Sequence, residues 1–162
     1  LAKTLIVNGK TFNYPEQGED PIWGEDATAW AEEVTNVLDD LVSAGDIFQT
    51  EFTIVNNQST SADVNGLLLD TSVVRSAVID YSIYRVSTSN PSGNVENGTI
   101  FAVYDNSASS GNKWIISQEK NGEAGVTLDI DDDGQFTYTS TDIGAAGYSG
   151  SMKFKSRSIT SV

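Results

Sequence analysis

The sequence predicts a mainly β protein: an antiparallel β-sandwich of jelly-roll type over residues 47–162, preceded by a hairpin and one helix within residues 1–46. Three observations carry that expectation. From Ile47 onward, short runs of β-branched and aromatic residues are separated by turn residues at close intervals, as an antiparallel sandwich or barrel requires. Serine and threonine, 34 in all, fill many of the positions between them. Apolar residues at helical spacing occur in one stretch, and it lies ahead of Ile47. Composition changes at the same place, since residues 1–46 hold ten acids, two bases and two of the three prolines.

The first element is a hairpin. Thr4–Val7 and Lys10–Tyr14 flank Asn8-Gly9, a pair suited to a type I′ turn because both central residues need positive φ. A loop rich in Pro, Gly and acids follows, from Pro15 to Glu25. Asp26 is a good N-cap for a helix over about 27–44. Trp30, Val34, Val37, Leu38, Leu41 and Val42 form its apolar stripe, with Glu32, Glu33, Asn36, Asp39 and Asp40 assigned to the wet face and Gly45 as its stop. Strands are then predicted at Gln49–Val55, Gly66–Asp70, Val74–Val86, Thr99–Tyr104, Lys113–Gln118, Gly125–Ile130, Gln135–Ser140 and Ser151–Ile159, with Ser89–Gly93 as a loop around Pro91. The third of these places Ala77, Ile79, Tyr81 and Ile83 on one face and Asp80, Ser82 and Tyr84 on the other. In the last, Met152 and Phe154 alternate with Lys153, Lys155 and Arg157. Trp30, Tyr81, Phe101, Trp114, Phe136 and Phe154 are expected in the core.

Composition removes several kinds of chemistry. A chain of 162 residues buries roughly 70% of its unfolded surface and needs no covalent staples. With no cysteine there is no disulfide framework, thiolate metal site or cysteine nucleophile, and with no histidine there is no Ser-His-Asp arrangement. A net charge of −14 repels nucleic acid and anionic membrane, so neither is an expected partner. No run approaches the ~18 apolar residues of a membrane span, and no signal peptide is expected. The sequons at Asn57 and Asn97 read as chance matches.

Three groups of residues remain as candidates. Asp129, Asp131 and Asp133 belong to a D-x-D-x-D-G run, but the twelfth position of an EF-hand loop starting at Asp129 is Ser140, which cannot supply the bidentate carboxylate. The run is either an acidic hairpin turn or a weak, nonhelical Ca²⁺ site, the one cofactor in view. Lys153, Lys155 and Arg157 gather three of the nine bases on one strand face, either as a handle for an acidic neighbour or as protection of an exposed sheet edge. Tyr84, Tyr104, Tyr138 and Tyr148 are either a carbohydrate-stacking platform or half-wet strand residues. Acids at 51, 80, 96 and 119 show no spacing that predicts a catalytic pair, and a non-enzymatic protein is expected.

Two stretches resemble a known family. Val7-Asn8-Gly9, Tyr14-Pro15, Gly18, the run from Trp23 to Ala31 and Val34-Thr35 resemble an N-terminal module in structural proteins of tailed bacteriophages, described as head-decoration or tail-fibre-like proteins. The runs Tyr81–Val86, Ala124–Thr127, Gly134–Ser140 and Tyr148–Phe154 are similar to the β-rich domain attached to it. The resemblance covers most of the chain and brings no catalytic residues. It implies a protein on the outer surface of the virion, a homotrimer, attached through residues 1–46. The stripe Trp30, Val34, Val37, Leu38 and Leu41 would then be the contact with sister chains or with the major capsid protein. The role implied first is capsid decoration; the alternative is a tail-fibre or receptor-binding module that grips host-surface glycan.

Overall fold

Residues 3–7, 10–14, 28–36 and 45–160 are described by the computed structural model. They belong to two units, Leu1–Ser43 and Ala44–Val162. In the first unit, β1 (Lys3–Val7) and β2 (Lys10–Tyr14) pair antiparallel with Val7 opposite Lys10. The expected turn, Asn8-Gly9, lies outside the described residues. Residues 28–36 form a helix, α1, with Trp30 and Val34 half-buried. Val37, Leu38 and Leu41 of the predicted stripe, and the cap at Asp26, fall outside the described residues. Glu33 departs from expectation: it is 5% exposed, and its carboxylate pairs with the Lys10 ammonium. The reason is helical geometry, because Glu33 stands three residues after Trp30 and beside Val34, on the stripe and not opposite it.

The second unit contains β3 (Ile47–Thr53), β4 (Ala62–Leu68), β5 (Val74–Ser87), β6 (Asn90–Tyr104), β7 (Trp114–Gly122), β8 (Val126–Ile130), β9 (Gln135–Ser140) and β10 (Ser149–Thr160). They form a five-stranded sheet, β3-β10-β5-β6-β7, and a three-stranded sheet, β4-β9-β8. All pairings are antiparallel, so the unit is a β-sandwich. The strand orders do not carry the finer jelly-roll description, since β5, β6 and β7 follow one another as a meander within one sheet. Period-two alternation builds the core: Ala77, Ile79, Tyr81 and Ile83 of β5, Ile100 and Ala102 of β6, and Met152 and Phe154 of β10 meet Val64, Leu67, Val126, Leu128, Phe136 and Tyr138 from the smaller sheet.

Three strand details differ from the sequence reading. Phe101 is 41% exposed on the outer face, because pairing with β5 sets Ala102 opposite buried Ala77 and turns Phe101 outward. The apolar run around it has no alternation from which to choose a face. β6 starts at Asn90, so Pro91 is a strand residue and not part of a loop. Because β7 pairs no further than Glu96, this part of β6 is a free edge, where a missing N–H costs nothing. β4 starts earlier than expected, and its register shifts between Asp63 and Leu68 around Gly66, at φ +88°. Gln135 Nε2 covers the shift, donating to Val64 O (3.1 Å) and Leu67 O (3.3 Å).

The registers give the sandwich two distinct ends. At the foot, the chain enters at Gly45 and Asp46, which bond Ser158, and β10 ends at Thr160 opposite Val74. The connections 69–73, 105–113 and 131–134 lie there too. At the tip are the connections 54–61, 88–89, 123–125 and 141–148.

Candidate functional site

The alternation of β5 continues past Ile83, and its next inward position is Arg85, a guanidinium with 0% exposure. A buried charge persists only where its donors are satisfied, and an arginine has five N–H groups to place. Here none goes to a carboxylate. Nε donates to Tyr148 OH (3.2 Å); Nη1 donates to Ala124 O (2.7 Å), Gly125 O (3.1 Å) and Thr141 Oγ1 (3.3 Å); Nη2 donates to Thr141 O (2.5 Å) and Asn56 Oδ1 (3.2 Å). The guanidinium also lies 5.7 Å from the centroid of the Tyr148 ring. One side chain therefore ties together three of the four tip connections: 54–61 through Asn56, 123–125 through its carbonyls, and 141–148 through Thr141 and Tyr148.

Around this hub the loops bond to one another. Asn57, at φ +55°, donates its N–H to Thr141 O (3.2 Å). Asn56 Nδ2 donates to Asp142 Oδ1 (2.7 Å), and Tyr148 OH donates to Ile54 O (2.9 Å). The fourth connection joins through Thr88 N, bonded to Ala146 O (2.8 Å), and through Ser87 Oγ, which donates to Ile143 O. Gly125 is required by this packing: it sits at φ +65°, and a Cβ there would lie 2.3 Å from Thr141 Oγ1 and 3.2 Å from Arg85 Nη1.

A second buried charge borders the tip. Glu96 accepts from Tyr81 OH (2.8 Å), Lys120 Nζ (3.1 Å) and Ala124 N (3.0 Å), and Gln118 Nε2 donates to the same phenol oxygen. Burial, then the Glu96 carboxylate, push the Tyr81 phenol far above its ordinary range. Burial alone would lower Lys120, but the bonds and charges of Glu96 and Glu123 outweigh it and hold the ammonium above its usual value. Glu123 is held low by the Gly125 N–H and by Lys120. Beside these groups opens a depression of about 340 Å³ whose walls include Gln58, Ser59, Lys120, Thr127, Thr139 and Thr141. Hydroxyls and amides both donate and accept, so this surface suits a polyhydroxylated ligand.

The residues singled out in the sequence lie elsewhere. Lys153, Lys155 and Arg157 project from the outer face of the five-stranded sheet, where Lys153 faces Glu51 and Lys155 faces Asp80, each at 3.7 Å. β10 runs between β3 and β5, so these bases do not protect a sheet edge. Asp80 and Glu119 share a row on that face with Thr99 between them, along a depression of about 570 Å³, and Asp80 accepts from Thr99 Oγ1 (3.0 Å).

The four tyrosines do not form one platform. Tyr138 is buried edge-on to Phe52, Tyr148 belongs to the Arg85 hub, Tyr104 packs on Trp114, and Tyr84 is the one exposed member of the four. Asp131 closes the β8–β9 hairpin, its Oδ1 accepting from Asp133 N (3.0 Å) and Gln135 N (2.9 Å), while Asp129 Oδ1 accepts from Ile130 N (2.9 Å). Among the described residues no group of three or more acids is placed to hold a metal ion. Trp30 and Val34 belong to the first unit, on α1.

No family model and no curated protein matches the sequence. Among solved structures, the tailspike protein of Acinetobacter phage vB_ApiP_P1 is similar over 94% of this chain, with a TM-score of 0.43 and 13% identity. The tailspike protein of Acinetobacter baumannii phage AM24 is similar over 71% of it, with a TM-score of 0.34 and 13% identity. The chain spans about a quarter of the length of each, 27% and 26%.

Proposed function

We propose that the chain is a structural module of a phage virion, of the tail-fibre or tailspike kind, which presents the tip of its sandwich to polysaccharide on the host surface. The virion setting comes from the sequence resemblance. The observation that supports the binding role is the Arg85 hub, because loops ordered before the ligand arrives lose little entropy on binding. The polar depression beside the hub supplies neutral donors and acceptors for hydroxyl groups. In this reading residues 1–43 attach the module to the particle or to sister chains, as a homotrimer, and the tip faces outward. Capsid decoration, the other role that the resemblance implies, needs a docking surface for the major capsid protein and has no use for a pre-ordered polar tip.

The test is adsorption. Full-length chain should bind host cells saturably, compete with intact virions, and be displaced by purified surface polysaccharide. Antibody labelling of particles should then mark the tail. Absence of cell binding together with label over the capsid would overturn this reading in favour of decoration.

A further inference from the structure

Resting on the reading of the tip as a glycan site, we infer that its ligand is an uncharged polysaccharide and that chains bearing carboxylate, phosphate or sulfate are excluded. The cations of the second unit stand away from the tip or are already engaged there. Recognition of an anionic sugar takes a lysine or arginine with donors to spare. Two bases reach the tip, Arg85 and Lys120. Arg85 is fully buried, and its Nε and both terminal nitrogens are bonded to loop oxygens. Lys120 gives two of its three N–H donors to Glu96 and Glu123, at 3.1 and 3.2 Å, so the one donor left belongs to an ammonium whose charge is already offset by two carboxylates. Lys153 and Lys155 are paired on the outer sheet face, while Arg75 covers Tyr104 and Lys113 is the last residue of the 105–113 connection at the foot. Among the described residues, no unengaged cation stands at the tip.

The anions are placed differently. The four tip connections carry two charged side chains, Glu123 and Asp142. Both carboxyls are held below their ordinary range: Glu123 by the Gly125 N–H and Lys120, Asp142 by the Gly144 N–H and Asn56. They stay ionised throughout the neutral range and add to the field of a chain of net charge −14. Three of their four oxygens also accept hydrogen bonds. Glu123 Oε1 accepts from Gly125 N (2.9 Å) and Oε2 from Lys120, and Asp142 Oδ1 accepts from Gly144 N (2.8 Å) and Asn56 Nδ2. They repel an anion from a distance. What remains for a ligand is the neutral hydroxyl and amide surface of Gln58, Ser59, Thr127 and Thr139.

The deciding experiment presents full-length chain with a panel of purified bacterial surface polysaccharides, neutral and acidic. Each uronate-bearing member is tested before and after reduction of its carboxylates to primary alcohols. Binding is expected to neutral members, with an affinity that changes less than about twofold as salt rises from low to molar concentration. Any acidic member should bind at least about tenfold more weakly than its reduced form. Glu123→Gln, which keeps an acceptor for the Gly125 N–H, should improve binding of an unreduced acidic member by about twofold, the size expected for one screened charge. An acidic member that binds as well as the neutral ones, and loses affinity on reduction, overturns this inference while leaving the glycan reading in place. Failure of the folded chain to bind any member overturns both.

Discussion

The two ends of the sandwich solve the same problem, ordering polar loops, in opposite ways. At the foot, aspartates hold their own neighbourhoods: Asp70 Oδ1 accepts from Ser72 N (2.8 Å), Asp105 Oδ1 from Ser107 N (2.9 Å), and Asp131 Oδ1 from Asp133 and Gln135. Each of these bonds spans two to four residues and stands in water, and the foot loops are joined to one another by few links, Asp132 to 110–113 and Leu69 N to Gly134 O (2.9 Å). At the tip, one buried guanidinium reaches 29 to 63 residues along the chain and binds three loops at once. Local caps make an order that frays piecemeal. A shared hub makes an order that is all present or all lost, and a multi-loop binding surface needs the second kind.

The largest effect that separates the two ends should come from Arg85→Met. The substitution keeps most of the apolar stem but leaves the carbonyls of Ala124, Gly125 and Thr141 without their charged donor, that of Ala124 in a buried setting. A loss on the order of 4 kcal/mol is expected, read from the urea midpoint at constant m-value. Hydrogen exchange should quicken together in 56–58, 124–125 and 141–148, while 105–113 and 131–134 keep their protection. Independent, unequal changes in those three segments would show that the tip, too, is held loop by loop.

Alkaline pH tests the other buried charge at the tip. Tyr81 and Lys120 both have folded values raised above their ordinary 10.0 and 10.5. For a group whose pKa is raised by folding, the stabilisation is complete below the unfolded value and is lost as pH climbs above it. Stability should therefore be level up to about pH 10 and then fall, with the absorbance of one tyrosinate appearing only as the chain unfolds. Tyr81→Phe removes the phenol's share of that fall. A Tyr81 that ionises in the folded protein near pH 10 would mean that the Glu96 pocket admits water.

At the foot, Asp132 is the nearest thing to a hub. It accepts from Gly111 N (2.6 Å), Lys113 N (3.2 Å) and Ser110 Oγ (3.0 Å), tying 105–113 to the β8–β9 hairpin. These bonds hold its carboxyl below the usual range, so its contribution is present above the ordinary carboxylate value and fades as pH falls through the lower folded one. Because the group stands in solvent, Asp132→Ala should lower Tm by less than about 3 °C. The exchange of the Gly111 and Lys113 amides should rise with no change at the tip. A Tm loss comparable with that of Arg85→Met would erase the distinction between the ends.

The difference between the ends also accounts for what the sequence discloses. Period-two alternation places Ala77, Ile79, Tyr81 and Ile83 inside, and the same count carried two residues further puts Arg85 inside as well. Arg85 goes unread because a charge breaks an apolar pattern, and because its partners are backbone oxygens, which leave no mark on the sequence. Glu33 is a similar case, standing on the helical stripe that its charge disguises. Asp131-x-Asp133-Gly134 is legible because its bonds are local: Gly134 supplies the positive φ, +89°, and Asp131 the cap. Phe101 is illegible for a third reason, since an unbroken apolar run takes its facing from the neighbouring strand and not from itself.

The smallest expected effect concerns calcium at the foot. Asp129, Asp131 and Asp133 crowd enough charge to suggest an ion, yet the hairpin is already closed by its own backbone: Gly134 N donates to Asp131 O (3.1 Å) and Asp131 N to Gln135 O (3.0 Å). A side-chain oxygen of Asp131 is taken by two amides and one of Asp129 by a third, so a cation would compete with bonds that the turn itself needs. Adjacent Asp132 is turned to the 105–113 loop. The melting temperature should accordingly be the same, within about half a degree, in EDTA and in millimolar Ca²⁺, since a ligand stabilises only in proportion to its occupancy of the folded state. Saturable calorimetric binding that disappears in Asp131→Asn would reverse this. It would also make the foot an end ordered by a shared centre, as the tip is by Arg85.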